Sequence, residues 1–128
     1  MSNITDVAFL KFNFTPISKI ISFNYIFASN EYGEFQCESR DLFAIILTNV
    51  STGETVNIAT IPESDTSISV KNVRDNQHNG ICASSNVDLF GSYYVNNRDN
   101  STINMRGFTK LLNATATVIP NNEYQIKF

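Results

Sequence analysis

The stretch Phe27–Asp41, FASNEYGEFQCESRD, sets four carboxylates (Glu31, Glu34, Glu38 and Asp41) beside Tyr32, Phe35 and Cys37. Three kinds of chemistry could use such a cluster. The first is cation binding, since Ca2+ takes roughly six to eight oxygen ligands from carboxylates, amides and carbonyls. Glu31, Asp41, Asp75 and Asn76 are the candidate ligands, provided that Cys37 and Cys82 draw their two segments together. No D-x-D-x-D-G loop is present. The structural alternative is that these acids order turns or pair with Arg40 and Arg74.

The second is acid–base or nucleophilic catalysis. Glycosidases need two carboxylates across a cleft, and Glu31 and Glu34 qualify by count alone. A triad would have to combine His78, the single histidine, with Ser84 or Ser85 and Asp75. No nucleophile elbow surrounds those serines, so the expectation is that the chain is not an enzyme. The third is ligand recognition. Tyr32, Tyr93 and Tyr94, with Asn96, Asn97 and Asp99, combine aromatic faces with amides and a carboxylate, the mix that binds sugars. The alternative is that the tyrosines are half-buried, with their hydroxyls at the rim. Tyr93 and Tyr94 are adjacent, so in a strand they point to opposite faces.

The elements that must position these groups are strands. Leu10, Phe12 and Phe14 share one face, as do Ile21, Phe23, Tyr25 and Phe27, with Ser22 and Asn24 alternating on the other face of the second run. LFAIILT, Leu42 to Thr48, is apolar on both faces and reads as one central strand. Thr55 to Ile61 and Ser67 to Val73 follow. Leu112, Ala114, Ala116 and Val118 alternate with polar residues, and so do Tyr124, Ile126 and Phe128. Turn signals at Thr15-Pro16, Ser51-Thr52-Gly53, Ile61-Pro62 and Pro120-Asn121-Asn122 separate the runs. A short helical turn fits best around Tyr32 to Leu42. The region from 74 to 107 is polar and aperiodic, and reads as a long irregular loop. The expected fold is a single all-β domain over residues 1–128, an antiparallel β-sandwich of jelly-roll type.

Composition narrows the function classes. The chain has 128 residues and a net charge of −3, with no basic patch to bind nucleic acid. No apolar run reaches the roughly 20 residues of a membrane helix. No signal peptide is visible at the start. The two cysteines, Cys37 and Cys82, read as one disulfide or two free thiols. A bond between them would close a long loop, constrain the unfolded chain by roughly 4 kcal/mol and imply an oxidising compartment.

FNYIFASNEYGEFQC resembles the signature of the choice-of-anchor L domain family, in which an aromatic-rich strand leads into FASEEY and then E-F. DLFAIILT resembles that family's D-x-F-A-F-F-L strand. NIATIPESDTSISVKNV, SYYVNN and RGFTKLLNATATVIPNNEYQIKF resemble its later blocks, so the likeness spans nearly the whole chain. Asn30 and Arg106 stand where the family carries acids. The family's further strands beyond Y-x-I-K have no counterpart before Phe128, which leaves an expected open sheet edge where another chain could add a strand.

The resemblance implies a domain of secreted or surface proteins of bacteria. The expected function is a non-catalytic extracellular module for adhesion or recognition of a host or neighbouring-cell glycan or protein, with Ca2+ as the candidate cofactor. One alternative is a structural subunit that joins copies of itself by strand addition into filaments or a surface layer. Another is a carbohydrate-active enzyme domain.

Overall fold

The computed structural model describes residues 6–38, 41–77 and 90–128. It is all-β and antiparallel, as expected. The strands are β1 (Lys11–Phe14), β2 (Ile20–Tyr25), β3 (Ala28–Ser29), β4 (Leu42–Phe43), β5 (Ile46–Asn49), β6 (Thr55–Asn57), β7 (Ile68–Ser69), β8 (Tyr94–Asn96), β9 (Gly107–Thr109), β10 (Leu112–Thr117) and β11 (Tyr124–Lys127). A 3-10 turn at Gly91–Tyr93 precedes β8. Among the described residues, the ladders form one four-stranded sheet, β1-β11-β5-β6, a three-stranded sheet, β3-β9-β8, and the pairs β10-β2 and β4-β7. This is a set of small antiparallel sheets, and no jelly-roll strand order emerges from it.

Period-two alternation accounts for the most regular part. In the β2–β10 ladder Ala114 lies opposite Phe23, and Ala116 opposite Ile21. These residues turn toward Ile45, Leu47, Tyr124 and Ile126 of the four-stranded side, which form the first core cluster. Phe23 meets Phe128 edge-on at 5.6 Å. The other face of the ladder is polar and cross-linked, with Asn113 Nδ2 donating to Ser22 Oγ at 2.7 Å and to Asn24 Oδ1 at 2.8 Å. Ile126 has no exposed surface, and burying such a side chain contributes roughly 1.5–3 kcal/mol.

The second cluster contains Ile61, Ile68, Val73, Phe90 and Leu112. Tyr25 and Phe43, with ring centres 5.2 Å apart, link it to the first.

Three expected strands are shorter than the sequence suggested. Leu42 to Thr48 is two strands, β4 and β5, in different sheets. The break falls at Ala44-Ile45, where the Ile45 amide donates to Asn57 Oδ1 at 3.1 Å. The same oxygen accepts the Ala59 amide at 3.0 Å, so β6 ends at Asn57 rather than continuing to Ile61. The strand predicted over Ser67 to Val73 stops at Ser69, whose carbonyl accepts the Asn72 and Val73 amides in a turn. A short polar side chain offers the backbone a local partner that competes with the ladder.

Candidate functional site

The Phe27–Asp41 crossover starts as β3, which pairs with β9, and then coils into successive turns. Gln36 N donates to the Gly33 carbonyl, and Glu38 N to that of Phe35. The expected short helical stretch is thus a run of turns. Gly33 has a φ of +93°, a conformation that glycine adopts without steric cost. The predicted irregular stretch from 74 to 107 is partly ordered into strand, because β8 pairs with β9.

Under the crossover lies an aromatic shelf. Tyr32 is fully buried and packs against Tyr94, with ring centres 4.7 Å apart and planes tilted by 41°. Phe27 meets Tyr32 edge-on at 6.4 Å. Gly107 sits beneath both rings. A Cβ there would lie 2.7 Å from Tyr32 Cδ2 and 2.7 Å from Tyr94 Cε2, closer than side-chain carbons approach one another. Burial pushes the Tyr32 hydroxyl pKa well above its ordinary value, and the neighbouring Tyr94 adds to the shift. Burial also raises Tyr94 and moves Tyr25 to about 12.

Above the shelf, Asp75 ties three segments together through Arg98 and Gln36. Arg98 Nη2 lies 3.1 Å from both carboxylate oxygens of Asp75, and both side chains are 23% exposed. Arg98 Nη1 donates to Gln77 Oε1. Gln36, with no exposed surface, donates to the Asp75 carbonyl at 3.1 Å and to Asp75 Oδ1 at 3.2 Å. Gln36 Oε1 accepts the Gly33 amide. Arg74 is buried, and its Nη1 donates to the same Asp75 carbonyl at 3.0 Å. Charge-assisted bonds of this kind are about twice as strong as neutral ones, so the hub fixes the relative positions of these segments.

A second polar group lies at Ser29. Its hydroxyl donates to Asp41 Oδ2 at 2.8 Å and accepts the Glu31 amide at 3.0 Å. Glu31 packs against Asp41. Burial chiefly, and then the Asp41 charge, raise the Glu31 pKa above the usual carboxylate range.

The four candidate cation ligands therefore separate. Glu31 and Asp41 come together, Asp75 is held by Arg98 and Gln36, and Asn76 is exposed. Among the described residues no three of His, Cys, Asp and Glu form a group able to hold a metal. The candidate sugar platform also divides. Tyr32 and Asn97 are buried; Asn97 has 2% of its surface exposed. Asn97 Nδ2 donates to the carbonyls of Ile103 and Met105, and its Oδ1 accepts the Thr102 amide. These two residues hold the fold together and present no open face. Tyr93 and Tyr94 are half-buried, whereas Asn96 and Asp99 are exposed. Bonds from Ser101 lower the Asp99 pKa.

Cys37 is buried and is not a free thiol. Its expected partner, Cys82, lies outside the described residues, as do Arg40, His78, Ser84 and Ser85. We propose that Cys37 is bonded to Cys82. Sequence reading missed Ser29, Gln36, Arg98 and Gly107. Ser29, Gln36 and Arg98 bond to partners 12, 39 and 23 positions away, Gly107 meets the Tyr32 and Tyr94 rings, and no local spacing marks them.

The fold and this loop end define a small antiparallel β domain whose loops are ordered by buried polar contacts. The family model of the Choice-of-anchor L domain matches residues 1–128, and the chain belongs to that family. The family is one of surface-associated bacterial domains. No curated protein and no solved structure matches the chain. No helix among the described residues is long and apolar enough to cross a membrane.

Proposed function

We propose that the domain is a non-catalytic extracellular recognition module. It presents the loop end around Arg98 to a glycan or protein on a host or neighbouring cell. One observation supports this most. Of the five buried polar side-chain atoms without a partner among the described residues, four fall in this end: Tyr32 OH, which is enclosed, and Glu31 Oε2, Tyr94 OH and Arg98 Nε, which belong to residues with part of their surface exposed. Buried polar groups are normally satisfied, and ordered water or a polar ligand supplies what the protein does not. Phe35, 50% exposed, and the exposed Asn96 and Asp99 flank the same hub. Ca2+ belongs to the reading through Glu31 and Asp41, with the Ser29 hydroxyl between them. The structural use of Asp75 and the pairing of Glu31 with Asp41 rather than Glu34 favour binding over catalysis.

The test is a screen of glycans and intact cells with and without Ca2+, comparing the wild-type domain with Phe35→Ser and Asn96→Ala. The expected result is binding that weakens about tenfold on removing an aromatic anchor, with thermal stability unchanged. A wild-type domain that binds no glycan and no cell overturns the reading. So does hydrolysis of a glycan that Glu31→Gln or Glu34→Gln abolishes.

A further inference from the structure

The four-stranded sheet ends in two unlike edges. β6 is three residues long, and the Asn57 side chain folds back onto Ala59 to stop it. At the other end, no described strand pairs with the outer side of β1. Leu10 and Phe128 exchange both backbone hydrogen bonds, at 3.2 and 2.8 Å. This sets the alternation. Phe12 and Phe14 direct their backbone groups to β11, and those of Lys11 and Asn13 point outward. From Asp6 to Phe14 the edge carries no proline and a single charged residue after Asp6, namely Lys11. Native edges are ordinarily protected by several charges, proline, a bulge or a cover.

The same edge is apolar. Val7 is 66% exposed, Phe9 60%, Leu10 63% and Phe12 44%. Phe12 and Phe14 face Ile21 and Phe23 across an open groove of about 400 Å³. The inner face of the β1 side is therefore uncovered where β1 runs past β2.

We propose that this edge is a two-fold interface, on which β1 of a second copy pairs antiparallel with β1 of the first. The sequence is self-complementary about Leu10. Antiparallel pairing centred there sets Leu10 opposite Leu10 of the other copy, and Ala8 opposite Phe12. These residues share the face that lines the groove. On the opposite face Phe9 meets Lys11, a favourable cation–aromatic contact of the kind Phe9 already makes with Lys127 at 4.5 Å. A register centred on Lys11 would instead set two lysines directly opposite, which is unfavourable. The outward backbone groups of Lys11 and Asn13 supply the new ladder. The sheet then runs continuously through both copies, and the symmetric contact closes.

The pairing draws on one short edge segment from each copy, which places it toward the lower end of specific interfaces. The dimer should therefore depend on concentration. This inference is independent of the recognition reading, since β1 contributes no residue to the Arg98 hub.

Sedimentation equilibrium over a wide concentration range tests it. The expected result is a monomer–dimer equilibrium for the wild-type chain. Asn13→Pro, which removes an outward N–H, and Phe9→Lys, which alters an exposed side chain, should each weaken the dimer at least tenfold. Both variants should keep the wild-type circular dichroism, and either one that folds suffices. Leu10→Cys should cross-link under mild oxidation, because opposite strand residues lie within disulfide reach. Val56→Cys, on the far edge, should not. A wild-type chain that stays monomeric at every concentration overturns the proposal. So does a dimer that survives a folded variant, equal cross-linking through Val56→Cys, or growth into open polymers.

Discussion

The two core clusters are stabilised differently. Around Ile126 the first holds its shape by apolar alternation, with Ala114 and Ala116 opposite Phe23 and Ile21 and no charged side chain in the cluster. Beside the second, Tyr32 and Tyr94 rest on a glycine. Gln36, Arg74 and Asn97 are buried there, and an ion pair joins distant segments. Apolar packing tolerates exchange if volume is kept. A buried polar network loses more than one bond when one member goes. The first region should therefore behave as a cooperative core. The second should open locally and at lower free energy, as regions used for binding commonly do.

The largest expected effect comes from breaking the proposed Cys37–Cys82 bond. Reduction should lower stability by roughly 4 kcal/mol in the loop-entropy model. Hydrogen exchange should show the loss first around Gln36 and Asp75. An intact mass equal to that of the fully reduced chain, instead of two protons lighter, would remove the bond and this part of the contrast.

Ile126→Ala should cost about 3 kcal/mol by leaving a cavity in the first cluster. Denaturant unfolding should stay two-state, with a lower midpoint and an unchanged slope. If amide protection fell only near Ile126, the first region would not be the cooperative unit.

Gly107→Ala should cost about 2 kcal/mol, since the added methyl meets two rings at 2.7 Å. Near-ultraviolet circular dichroism should report the displaced tyrosines, while the β2–β10 ladder keeps its protection. Equal loss in both regions would erase the distinction between them.

The smallest effect is expected from Glu31→Gln, and its sign is opposite. The folded-state pKa of Glu31 is raised, by burial first and then by Asp41. The folded chain therefore binds more protons than the unfolded chain just above the ordinary glutamate range, and ionising Glu31 as pH rises through its folded value costs stability. At neutral pH the variant should be more stable than the wild type by up to about 1 kcal/mol, the scale of partly exposed charge pairs. The difference should vanish below about pH 4, where the carboxyl is protonated in both states. Millimolar Ca2+ should stabilise the wild type more than the variant if the pair holds the cation. Equal responses in thermal melts would remove Glu31 from that role.

Legibility in the sequence follows the same division. The alternation of Ile21, Phe23 and Tyr25, and of Leu112, Ala114 and Ala116, is a local pattern with one geometric meaning, and both strands form as read; their pairing came from the structure. LFAIILT misled because an apolar run carries no mark of where a side chain elsewhere will interrupt it. Asn57 makes that interruption through its amide oxygen. Tyr32 and Asn97 were plausible ligand contacts by residue type. Only their burial reveals them as supports, because a tyrosine or asparagine offers the same groups to a ligand and to its own fold. Arg98 pairs with Asp75 across 23 positions, and no spacing rule reaches that far outside regular structure.

The sequence by itself determined the all-β class, the family, which residues share a face within the regular strands and the turns between them. These depend on period-two patterning and on residues with fixed backbone preferences. The tertiary structure alone decided which acids meet, which aromatics are hidden and which sheet edge lies open. Those outcomes depend on contacts between segments far apart in the chain, where the free energy of a side chain is set by its surroundings and not by its neighbours in sequence.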